Sequence, residues 1–157
     1  MRSLGTENAA SRFIAEDVGS AADLHRSCFA CGHGEDGMGL TFEISGDNAV
    51  SARWFCEEKY QSYPGIVHGG IIATILDCAM TNCLLIKGIA AVTADMHIEY
   101  IEPLRVGNVV MVTASLTRLR SPLFLLNAEV VQNSRVSARA SAKFMRADIW
   151  SDESKTK

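Results

Sequence analysis

Apolar and polar residues alternate along most of this chain, and the alternation breaks over residues 70 to 86. From Ala91 to Ile101, Val92, Ala94, Met96, Ile98 and Tyr100 take one face, while Thr93, Asp95, His97 and Glu99 take the other. A period of two predicts a half-buried strand. The pattern is cleanest from Val136 to Phe144, with Val136, Ala138, Ala140, Ala142 and Phe144 on one side. Val109 to Leu119 and Leu123 to Val131 are rich in β-formers and meet at Ser121-Pro122. Upstream, Leu40 to Ile44 and Ala49 to Phe55 flank Ser45-Gly46-Asp47-Asn48, which supplies hairpin-turn chemistry. Residues 56 to 67 form a loop around Tyr63-Pro64-Gly65.

The exception, GIIATILDCAMTNCLLI, is apolar on every side and too long for a strand. It predicts a buried helix from about Gly70 to Lys87, stopped by Gly88. Two strands, one helix and four strands follow in order. A single helix cannot cover both faces of a parallel sheet, so the fold class is α+β, a curved antiparallel six-stranded sheet wrapped around the helix. Such a sheet leaves edge strands open, which favours pairing between two copies. The helix approaches membrane-spanning length, but Thr74, Asp77, Thr81 and Asn82 argue against insertion.

Residues 1 to 27 form a polar arm or short helix, with Phe13, Ile14, Val18 and Leu24 weakly amphipathic. Gly32, Gly34, Gly37 and Gly39 mark an irregular connection at the start of a single domain over 28 to 150, and 151 to 157 is a polar tail. A length of 157 residues suits one domain. Net charge is −3 and the nearest basic run, Arg118-Leu119-Arg120, is short, which excludes a nucleic-acid binder held by charge. The first residues lack the apolar core of a signal peptide. With five cysteines, this predicts reduced thiols in a cytoplasm.

Chemistry concentrates around the helix. Asp77 is the only acid between His68 and Lys87. Stripping a carboxylate of water costs several kcal/mol unless it is paired, so it is either satisfied or kept for reaction. As a general base toward water it would contribute about 10²–10⁴-fold; it can also act as a nucleophile, or serve as a structural acid bonded to backbone. His68-Gly69-Gly70 precedes the helix. Its first amides lack intrahelical acceptors and can stabilise an oxyanion, or the glycines can simply permit close packing. Cys28-Phe-Ala-Cys31 has zinc-ligand spacing with His33 nearby, but there is no second CxxC and Cys56 is the one other candidate close in sequence. Packing of an N-terminal turn is the simpler reading, with Cys78 and Cys83 as small core residues and no metal expected. No phosphate-binding or dinucleotide fingerprint implies a nucleotide cofactor.

His68-Gly69-Gly70, Asp77, the run TADMHIEYIEPLRVGN beginning at Thr93, and CFACG at 28 to 32 together resemble hotdog-fold acyl-CoA thioesterases, the branch containing phenylacetate-pathway and THEM-like members. The resemblance spans about residues 28 to 146. It implies hydrolysis of an acyl-CoA substrate to free acid and coenzyme A without a cofactor. The Gly69 amide would polarise the thioester carbonyl, and Asp77 would serve as base or nucleophile. Thr93 would hold the attacking water in a site shared between two subunits, His68 would position the carbonyl or order the turn, and Gly70, Ala73 and Ser62 would contact substrate. Some relatives carry Asn or Gln where this chain has the shorter Ser62, a departure at the thioester contact that Tyr60, Gln61 or a water could fill. A homodimer, paired again into a tetramer, is implied. An acyl-CoA-sensing domain and an acyl-thioester hydratase or dehydratase are the alternatives.

Overall fold

The computed structural model describes residues 25–32 and 34–147, so the arm before residue 25, His33 and the tail lie outside the described residues. Strands β1 (Glu43–Gly46) and β2 (Ala49–Phe55) precede helix α1 (Gly69–Leu85), and β3 (Ala91–Tyr100), β4 (Val109–Arg120), β5 (Leu123–Gln132) and β6 (Arg135–Arg146) follow it. All six strands form one antiparallel sheet in the order β1-β2-β4-β5-β6-β3, with the helix against one face. This is the expected α+β hotdog arrangement.

Alternation builds the core. Val110, Val112, Ala114 and Leu116 of β4 and Phe124, Leu126, Ala128 and Val130 of β5 are buried, as are Ile75, Leu76, Met80 and Leu84 of α1. Short side chains on β6, Ala138, Ala140 and Ala142, are buried at the centre of that strand. Asn133 and Ser134 adopt left-handed φ of 50° and 63°, the two-residue turn geometry whose twist matches the strands it joins. Gln132 is buried and bonds both the N–H and C=O of Arg105 at 2.9 Å, pinning the β3–β4 connection to the end of β5.

Three expectations change. The first strand begins at Glu43, because the Leu40 amide donates to the Ala30 carbonyl (3.0 Å) and its side chain is buried beneath the irregular connection. Helix α1 starts one residue early and ends at Leu85, with Gly88 at φ +68° in the turn beyond. Nor is α1 buried all round. Ala73, Thr74, Asp77, Thr81 and Asn82 are half-buried. Thr74, Thr81 and Asn82 turn their side chains onto the carbonyls of Gly70, Asp77 and Cys78 at 2.9 Å, which satisfies polar groups without leaving the helix.

Candidate active site

His68 starts the site. Its backbone is extended, its carbonyl takes the amides of Ile71 and Ile72, and its Nδ1 accepts the Gly70 N–H at 2.8 Å. The ring therefore serves as the helix N-cap, a place usually filled by a short polar side chain. This geometry orders the turn. A Cβ on Gly70 would meet Nδ1 at 3.1 Å, so a glycine there lets the imidazole fold over the first turn. The Gly69 amide donates to no other described residue, leaving one donor at the positive end of the helix dipole.

Gly69 also has a partner that the sequence reading missed. Tyr100, at the end of β3, donates its hydroxyl to the Gly69 carbonyl at 3.0 Å. Its ring lies 3.6–3.7 Å from where a Gly69 Cβ would project. Tyr100 stands opposite Ala138 of β6, whose side chain is buried. That same-face relation was the available signal.

Two turns along α1, Asp77 is half-buried and accepts a 2.5 Å hydrogen bond from the Thr93 hydroxyl through Oδ1. Strict alternation placed Thr93 with Asp95 and His97, and the structure corrects this. Thr93 pairs with Phe144, whereas Asp95 pairs with Lys143, so one extra residue stands in β3 between them. Such a bulge re-aims a side chain. Phe144 is buried, so Thr93 points to the helix side, while Asp95 points outward to a 3.4 Å ion pair with Lys143.

The expected residues thus fall into two groups within one chain. Asp77 and Thr93 form one, and His68, Gly69 and Gly70 form the other. Eight residues of helical rise separate Gly69 from Asp77, about 12 Å along the axis. Ala73 lies between them on α1, half-buried. Ser62 is exposed, and its amide closes the loop by donating to the Ile66 carbonyl at 2.8 Å. Of its neighbours, Gln61 spends its side-chain oxygen on the Gly65 amide (3.0 Å), and Tyr60 packs on Trp54 with ring centroids 5.2 Å apart. A separate cavity of about 660 Å³ opens on the sheet's outer face beside His97, Glu99 and Arg139; Asp77, Thr93 and Gly69 do not line it.

The profile of the thioesterase superfamily matches residues 64–139, which include His68, Gly69, Asp77, Thr93 and Tyr100. The chain carries a thioesterase-superfamily domain. Its sequence is similar to acyl-coenzyme A thioesterase THEM4 of Rattus norvegicus, 31% identical over 120 residues that make up 73% of this chain and 51% of that protein. It is also similar to acyl-coenzyme A thioesterase 13 of Homo sapiens, 29% identical over 97 residues, 60% of this chain and 69% of that one. The matches span about half the length of the THEM4 relatives, 49% in Bos taurus and 51% in Rattus norvegicus.

The same fold recurs in the Escherichia coli PaaI protein, with a TM-score of 0.72 at 18% identity over 85% of this chain and 96% of that one. Zebra fish thioesterase superfamily member 2 gives 0.69 at 20% identity over 83% and 98%. A Streptococcus mutans protein solved with acetyl-CoA gives 0.65 at 19% identity over 69% and 88%. The profile match to the thioesterase superfamily leaves Cys28 and Cys31 outside.

Proposed function

We propose that this domain hydrolyses an acyl-CoA thioester to the free acid and coenzyme A. The observation that carries the reading is the Thr93–Asp77 hydrogen bond, set beside a helix whose Gly69 amide has no described acceptor. The relatives' names and the acetyl-CoA bound to a similar fold support the substrate class. In this mechanism Thr93 occupies Oδ1 of Asp77, which leaves Oδ2 to take a proton from water as the water oxygen bonds to the thioester carbon. The carbonyl oxygen gains charge against the Gly69 amide. Collapse breaks the C–S bond, and the proton held by Asp77 passes to the departing thiolate. His68 acts through the turn it caps, and Gly70 and Ala73 border the acyl path.

About 12 Å separates the donor and the base within one chain, which favours a site built from Gly69 of one copy and Asp77 with Thr93 of another. β3 is the sheet edge nearest both groups, and Val92 and Tyr100 on it are 48% and 54% exposed. A long edge strand with exposed apolar side chains suits coverage by a second copy. A homodimer through β3 is therefore part of the proposal, and the further pairing into tetramers is carried from the resemblance. Among the described residues no helix is long and apolar enough to cross a membrane.

The test is coenzyme A release, followed with a free-thiol reagent across acetyl, medium, long and aromatic acyl-CoAs. Turnover that drops at least about a hundredfold in Asp77→Ala supports hydrolysis with Asp77 as base. Binding without turnover in both proteins identifies a sensor instead, and loss of enoyl absorbance identifies a hydratase.

A further inference from the structure

A second cluster of reactive side chains lies on the other flank of Asp77. His25, Cys28 and Cys31 follow one another at intervals of three residues, and their ligand atoms all lie within 4.8 Å of one another. His25 Nδ1 stands 3.1 Å from Cys31 Sγ. Cys78, the residue after Asp77 on α1, faces Cys31 and Cys28 closely enough to interact with both, and the Asn82 amide donates to the Cys78 sulfur at 3.5 Å. One imidazole and two sulfurs thus converge on the N-terminal turn, and a third sulfur, that of Cys78, faces them from the helix. All of these cysteines are free thiols.

We propose that His25, Cys28, Cys31 and Cys78 bind one zinc ion, which fastens the N-terminal turn to the helix carrying Asp77. Structural zinc takes four ligands in a tetrahedron, commonly three cysteines and a histidine, at about 2.0–2.3 Å. Such bonds put neighbouring donors a little under 4 Å apart, so the donors of His25, Cys28 and Cys31, already within 4.8 Å of one another, need only a small contraction, and Cys78 completes the set from the helix. The turn is shaped for that convergence. The Gly32 amide donates to the Cys28 carbonyl at 2.6 Å, and a Cβ on Gly32 would lie 2.4 Å from that oxygen, so only glycine closes it.

Asn82 remains as an outer-shell donor to the ligand sulfur. The CxxC supplies half of the set, and the missing half comes from upstream and from the helix. His33 and Cys56 are not needed.

The test needs no substrate and is independent of the proposed hydrolase activity. The full chain is purified in reducing, chelator-free buffer, and its zinc content is measured by elemental mass spectrometry. One zinc per chain is expected. Cobalt substituted for zinc should give tetrahedral visible bands and thiolate charge-transfer absorption in the near ultraviolet. Cys78→Ser should lower that absorption by about a third, as three thiolates become two. Cys28→Ala should weaken metal affinity by more than the about 10–100-fold typical of losing an outer-shell partner. Protein that holds no zinc, takes none from zinc-supplemented buffer and melts unchanged in chelator would overturn the proposal. So would octahedral cobalt lacking thiolate absorption. These wild-type measurements decide the matter even if a variant fails to fold.

Discussion

Replacing Gly69 with alanine should separate stability from activity. At the first position of α1 an added Cβ meets Tyr100 ring atoms at 3.6 and 3.7 Å, ordinary contact distances that require no movement. Alanine is favoured over glycine inside a helix by up to about 1 kcal/mol, and at a helix start the gain is smaller. In a domain of this size that predicts a melting temperature unchanged or raised by up to about 2–4 °C. The same methyl group stands beside the amide proposed to receive the thioester oxygen. Alanine keeps the N–H, but its methyl group would hold the substrate away from it; losing the use of one oxyanion donor costs about 10²–10³ in rate, so coenzyme A release should fall by that factor with the fold intact. Thermal melting and thiol release are measured on one preparation. Full activity in Gly69→Ala would refute the requirement for close approach to Gly69. A drop in melting temperature matching the activity loss would refute the packing argument.

Thr93→Ala removes a hydrogen bond to a carboxylate. Because both groups are partly exposed, kcat should fall only about tenfold, the low end for bonds to charged groups, with little change in melting temperature. Tyr100→Phe deletes one neutral hydrogen bond to the Gly69 carbonyl, and a loss of about 1 kcal/mol predicts roughly a fivefold fall in kcat/KM, read by the same thiol assay. Gln132→Leu strands both backbone groups of Arg105. Urea unfolding should show a loss of about 2–3 kcal/mol, and wild-type stability would contradict the pinning role. Leu76→Ala opens a cavity against a side chain with no exposure and should cost about 2–5 kcal/mol by the same measurement.

Periodicity revealed the fold because each strand of the core has one wet and one dry face, and because α1 rests on a sheet that demands apolar residues around most of its girth. His68, Gly69 and Asp77 stood out for the same reason, as polar or flexible positions bordering an apolar run. Thr93 was visible only as a residue type. Its direction depends on a bulge, and a single extra residue leaves no mark on composition while reversing the face. Tyr100 was hidden because its partner is a backbone carbonyl, which no sequence motif displays. The cluster around Cys31 was half legible. CxxC is local, but Cys78 reaches it only through the packing of the N-terminal turn on α1.

The arrangement across two copies can be tested by mixing defects. Gly69→Ala and Asp77→Ala chains are coexpressed with different tags, and coenzyme A release by the mixture is compared with each variant alone. A site joining Gly69 of one copy to Asp77 of the other predicts that mixed dimers regain one intact site, restoring about a quarter of wild-type activity at equal expression. A mixture no more active than its two parents would contradict the account.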